Sequence, residues 1–143
     1  MKKVFLSVAI LCLAFVSCNS TKSTVKDVSS LEGAWELNYI TGPRITFEGL
    51  YPEKKPTINF DVKENKISGN SSCNNFMGPL SVEANKINFK DSKIAMTMMA
   101  CQGSGEGVFM STLEKVETYK VSEDGKTLSF IMGDVEMMRF TKK

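Results

Sequence analysis

From Leu31 onward the apolar residues recur with a period of two, and this feature limits the chain to antiparallel sheet. Trp35, Leu37 and Tyr39 alternate with Glu36 and Asn38, and Ile58, Phe60 and Val62 with Asn59 and Asp61. Ile87 and Phe89 stand between Lys86, Asn88 and Lys90, and Leu128, Phe130 and Met132 share one face further on. Successive side chains of a strand point to opposite faces, so runs like these bury one face and wet the other. Between the runs lie Glu64-Asn65, Ala84-Asn85, Asp124-Gly125 and Gly133-Asp134. The last two are the strongest hairpin signals, because their residues tolerate positive φ.

One segment follows a different rhythm. After Gly103-Ser104-Gly105, the residues Phe109, Leu113 and Val116 fall at helical spacing and predict a helix over Glu106–Val116. Glu106 in its first turn and Lys115 in its last suit the helix dipole. Gly42 to Pro56 has prolines and little periodicity, and reads as a long loop with an extended piece near Thr46–Phe47. The fold class expected is α+β and β-dominated: about eight short antiparallel strands wrapped around or against one helix.

The N-terminus is a different kind of segment. Met1-Lys2-Lys3 is a positive leader to an apolar run from Val4 to Val16. Thirteen residues at about 1.5 Å each cannot cross about 30 Å of hydrocarbon, so the run reads as a signal-peptide core. It ends in Phe15-Val16-Ser17-Cys18, a small residue just before cysteine, which resembles the lipobox of bacterial lipoproteins. The division expected is signal peptide 1–17, lipidated tether 18–30 and folded domain 31–143. Cys18 would carry the acyl chains, with palmitate as the natural label, and anchor the chain in the membrane. Asn19 in place of an aspartate favours the outer membrane of the bacterial envelope, on its periplasmic side or its surface.

The 143-residue chain has no histidine. That removes the commonest general base and the preferred zinc or copper ligand, and with them any Ser–His, Cys–His or HExxH site. The carboxylates Asp61, Glu64 and Asp91 fall on wet faces or turns and form no acid/base pair. No catalytic residue, cofactor or metal is therefore expected. The formal charge of +2 vanishes on processing, because loss of Lys2 and Lys3 leaves 16 basic residues against 16 acidic ones. A neutral domain without a basic stripe is no nucleic-acid binder.

Three pieces of sequence go beyond generic β-protein. They are Leu31-x-Gly33-x-Trp35; Ile67-Ser68-Gly69-Asn70-Ser71-Ser72-Cys73-Asn74-Asn75-Phe76-Met77-Gly78; and Met96-Thr97-Met98-Met99-Ala100-Cys101, followed by Glu106, Phe109 and Leu113. In this order they closely resemble the META domain, the family of HslJ-type heat-shock lipoproteins, from Leu31 to about Thr141. The motif positions are Gly33, Trp35, Gly69, Cys73, Asn74, Phe76, Gly78, Thr97, Met99 and Cys101. Glycine usually precedes the Cys-Asn pair in that family, and this chain has Ser72 there. The resemblance implies a curved, partly open β-barrel with a helix packed across it, an envelope location and a link to stress or secretion. It brings no catalytic residues.

Cys73 and Cys101 are the only cysteines after Cys18. In an exported domain such a pair most simply forms a disulfide, with free thiols or a redox pair as alternatives. Asn74 is expected to stabilise a turn through its side chain. The nine methionines admit three readings. With Ile94, Met96 and Met98 on one strand face they could fill a core; Met96, Met98, Met110 and Met138 beside Phe109 and Phe140 could instead line a pliable apolar cavity; and thioethers near Cys101 could offer a soft Cu(I) site. The function expected is a non-enzymatic, membrane-anchored envelope lipoprotein that binds an envelope protein or a lipophilic ligand. The alternative is a purely structural stress-response lipoprotein with no ligand.

Overall fold

The structure, a computed structural model, describes residues 28–143; the signal segment, Cys18 and the tether up to Asp27 lie outside the described residues. A 3₁₀ turn at Val28–Leu31 leads into β1 (Gly33–Ile40). There follow α1 (Phe47–Leu50), β2 (Thr57–Asp61), β3 (Lys66–Asn70), β4 (Asn75–Pro79), β5 (Val82–Glu83), β6 (Lys86–Ile87) and β7 (Ala95–Met96). The helix α2 (Gly105–Leu113) precedes β8 (Thr118–Val121), β9 (Thr127–Met132) and β10 (Val135–Lys142). The strands form one antiparallel sheet in the order β5-β6-β8-β9-β10-β1-β2-β3-β4-β7. Ten strands stand where about eight were expected, and β5, β6 and β7 are pieces of only two residues each.

The sheet is curved but not closed, with β5 and β7 at its free edges. Its curvature follows from the core. Phe130 on β9 lies edge-on to Phe60 on β2, ring centres 6.4 Å apart, although three strand spacings of about 4.8 Å separate these strands along a flat sheet. The concave face closes over Trp35, Leu37, Ile58, Phe60, Leu128, Phe130 and Phe140, none of them exposed. Helix α2 covers one side of this core with Phe109 and Leu113, both fully buried. Burying each such side chain stabilises by roughly 1.5–3 kcal/mol.

The four hairpin signals all carry a left-handed residue: Asn65 (φ 51), Ala84 (φ 55), Gly125 (φ 71) and Gly133 (φ 57). The strand alternation holds over most of the sheet but stops short of Met132, which is exposed at the end of β9 and does not share the buried face of Leu128 and Phe130. It also breaks where the register shifts. β1 has a bulge between Leu37 and Tyr39, so Ile40 turns inward and Tyr39 outward. β10 has another between Glu136 and Met138, which buries Met137 and Met138 side by side. The helix ends at Leu113, before the expected Val116; Val116 still reaches the core, and Lys115 lies beyond the last turn. The extended piece expected at Thr46–Phe47 is instead the start of α1. Thr46 is its extended N-cap and accepts a hydrogen bond from the Gly49 N–H at 3.1 Å, while Leu50 and Tyr51 bury themselves behind it. Side-chain capping of a helix start outweighs the extended preference of the prolines nearby.

Candidate functional site

The turn between β3 and β4 is built by its own polar side chains. Asn70 accepts from the Ser72 N–H at 3.1 Å and donates through Nδ2 to the Cys73 carbonyl at 3.3 Å. The turn-stabilising role expected of Asn74 thus belongs to Asn70. Ser72 sits at φ 89, in the region that side chains beyond glycine rarely adopt. This is the position where the motif usually carries glycine.

Asn74 works across a longer distance. It is 3 % exposed, and its Oδ1 accepts from the Thr97 hydroxyl at 2.7 Å and from the Met99 N–H at 2.8 Å. Its Nδ2 lies 3.1 Å from each of the Met99 carbonyl, Cys101 Sγ and Glu106 Oε1. One amide therefore fastens the β3–β4 turn to the segment after β7 and to the first turn of α2. The disulfide Cys73–Cys101, Cα atoms 6.0 Å apart, is a second fastening at the same place. It closes a loop that should stabilise by roughly 3–4 kcal/mol.

Glu106 completes the cluster. Its Oε2 accepts from the Ser71 hydroxyl at 2.6 Å and from the Asn74 N–H at 3.0 Å, and Cys101 Sγ is 3.6 Å away. Partial burial pushes this carboxyl up, but the hydrogen bonds from Ser71 and Asn74 outweigh it and hold it below the ordinary carboxylate range. Its place in the first turn of α2 also favours the charge. Among the described residues it makes no ion pair.

The other motif positions serve the frame. Gly33 takes φ 98, which starts β1 beside a Trp35 whose Nε1–H donates to the Leu31 carbonyl at 2.7 Å. Gly69 pairs with Phe76, and a Cβ there would collide with the Phe76 ring and the Thr57 carbonyl. Gly78 pairs with Ile67 on the next strand, and Phe76 packs on Phe109 of α2 with ring centres 5.9 Å apart. Thr97 and Met99 present their groups to Asn74. The structure thus brings Cys73, Asn74, Thr97, Met99 and Cys101 together and leaves Gly33 and Trp35 at the start of the sheet. Sequence reasoning missed Ser71 and the reach of Glu106, whose partners lie 32 to 35 positions away. It also missed Tyr51, whose hydroxyl donates to the Gly105 carbonyl at 3.1 Å and whose burial pushes its pKa well up.

The methionines divide between two environments. Met138 is fully buried beside Phe109 and Phe140, and Met96 and Met110 are half-buried against the same cluster. Met98 is 94 % exposed, because β7 ends at Met96 and the chain leaves the sheet before Met98 can use its inward phase. It therefore shares no core face with Ile94 and Met96, and the cavity reading that placed it between sheet and helix fails. Met77 and Met99 are also exposed, at 63 % and 56 %.

The family model of the META domain matches residues 28–143. The chain belongs to the META domain family. The fold of this META domain is similar to that of a protein from Burkholderia xenovorans solved by NMR, with a TM-score of 0.62 and 19% identity over 80% of this chain and 86% of that one. It is also similar to the crystal structure of a DUF4847 family protein from Bacteroides vulgatus, with a TM-score of 0.55 and 13% identity over 79% of this chain and 94% of that one. At these identities the likeness is one of fold. No curated protein matches the chain.

Proposed function

We propose that the chain is a membrane-anchored envelope lipoprotein whose META domain docks, without catalysis, on another envelope protein. The observation that carries this is the exposure of Met77, Met98 and Met99 on and beside the β4–β7 edge of the sheet. Flexible thioethers adapt to a partner surface at little conformational cost, and exposed apolar groups gathered at one place mark interaction sites. The Asn74 clip and the disulfide fix the backbone that presents Met99, so the edge is ordered before a partner arrives.

A lipophilic ligand fits less well. Phe109, Met138 and Phe140 are fully buried in one core cluster with the other large apolar side chains. The open groove of about 720 Å³ beside β6 is rimmed by Lys86, Lys90, Asp91, Lys115 and Glu117, charges an acyl chain would leave poorly solvated. The test is a pull-down from envelope extracts with the full-length chain and with Met77→Thr/Met98→Thr/Met99→Thr. These side chains are exposed, so the triple variant should keep the wild-type melting temperature and lose the partner. Capture of the same partner by both proteins would contradict the docking edge.

A further inference from the structure

We propose that reduction of the Cys73–Cys101 disulfide turns the clip into a zinc site, with Cys73 Sγ, Cys101 Sγ and a Glu106 carboxylate oxygen as ligands. One donor atom from each residue lies within 4.8 Å of the other two. Two tetrahedral zinc ligands, a thiolate at about 2.3 Å and a carboxylate at about 2.0 Å, stand about 3.5 Å from each other. Cys101 Sγ and Glu106 Oε2 are 3.6 Å apart, so this pair is already spaced as the metal requires. The two sulfurs need only separate, by rotation about their Cα–Cβ bonds, once the bond between them is cut.

The surroundings suit such a site. Ser71 donates to Glu106 and fixes its orientation, and Asn74 Nδ2, 3.1 Å from Cys101 Sγ, can donate to a thiolate there. Ligand-orienting hydrogen bonds of this kind accompany metal sites generally. Charge supplies the drive. Glu106 makes no ion pair among the described residues, and two thiolates beside it would bring three negative charges together. A divalent cation neutralises two of them. Both cysteines are half-buried, so a reductant and the ion can enter and water can take the fourth position, as it does in open zinc sites.

The chemistry balances as follows. A dithiol reductant gives two electrons and two protons to the disulfide, becomes a disulfide itself and leaves Cys73 and Cys101 as thiols. Zn²⁺ then binds, the two thiol protons pass to water, and the metal replaces the S–S bond as the link between the turn and the segment after β7. This site does not depend on the docking edge.

The experiment uses the full chain in detergent, reduced anaerobically with dithiothreitol, desalted and titrated with zinc chloride against a chromogenic chelator. One Zn²⁺ should bind per reduced chain and none to the disulfide form. Glu106→Gln should weaken binding at least tenfold. Buried Trp35 reports the fold throughout by its emission. The proposal is overturned if the reduced protein takes up no more zinc than the oxidised one. It is overturned equally if Glu106→Gln binds as tightly as wild type, or if Trp35 reports an unfolded chain with zinc present.

Discussion

Ser72 holds φ 89 where the family motif usually has glycine, and its Cβ is strained there. Ser72→Gly should relieve about 1 kcal/mol and raise the melting temperature by a few degrees; an unchanged or lower value would mean the turn is not strained. Glu106 is the other residue with a measurable signature. Its carboxyl is held below its ordinary range in the folded state, so its contribution to stability is present above the unfolded pKa of about 4.3 and is lost as pH falls through the lower folded value. Denaturant titrations from pH 6 down to pH 2 should therefore show a larger stability loss in wild type than in Glu106→Gln, which keeps the loss from Glu136, another carboxyl held low, by its hydrogen bond from Arg139. The variant, deprived of charge-assisted bonds to Ser71 and Asn74, should start about 1–3 kcal/mol lower at pH 6. Parallel curves for the two proteins would show that Glu106 does not hold the clip.

At the scale of elements, what periodicity and turn chemistry can encode was legible and what depends on partners was not. Phe109 and Leu113 announced α2, and all four turns fell between the apolar runs, two of them, at Gly125 and Gly133, on residues that tolerate positive φ. The bulges at Leu37/Tyr39 and Glu136/Met138 were not, because a bulge inserts a residue without changing composition. The strand face assumed through Met98 failed for a similar reason, since nothing local says that β7 stops at Met96. In the candidate site, the cysteine pair could be read from the sequence, where Cys73 and Cys101 are the two cysteines after Cys18. The reach of Asn74 to Met99 and of Glu106 to Ser71 is purely tertiary. The disulfide binds these elements together, so reduction without added metal should lower stability by roughly 3–4 kcal/mol. Non-reducing peptide mapping should find Cys73 linked to Cys101; two freely alkylated thiols in the unreduced, unfolded protein would remove this fastening from the account.

For the whole molecule, the curved sheet packs its concave face around Phe60, Phe130 and Phe140 and leaves its β5 and β7 edges free. Exposed Met77 lies on β4 beside the β7 edge and exposed Met98 and Met99 follow β7, while the β5 edge bears Glu83, paired with Lys86 of β6. If Cys18 anchors the chain, the domain works at a membrane surface, and its partner should meet the β7 edge there. Site-specific photo-crosslinking in living cells tests this most directly, with the probe at position 98 and, as a control, at position 83. The account predicts one discrete adduct with an envelope protein from position 98, none from position 83, and loss of the adduct when Cys18→Ser removes the anchor. Equal labelling from both positions, or an adduct that survives Cys18→Ser unchanged, would contradict it.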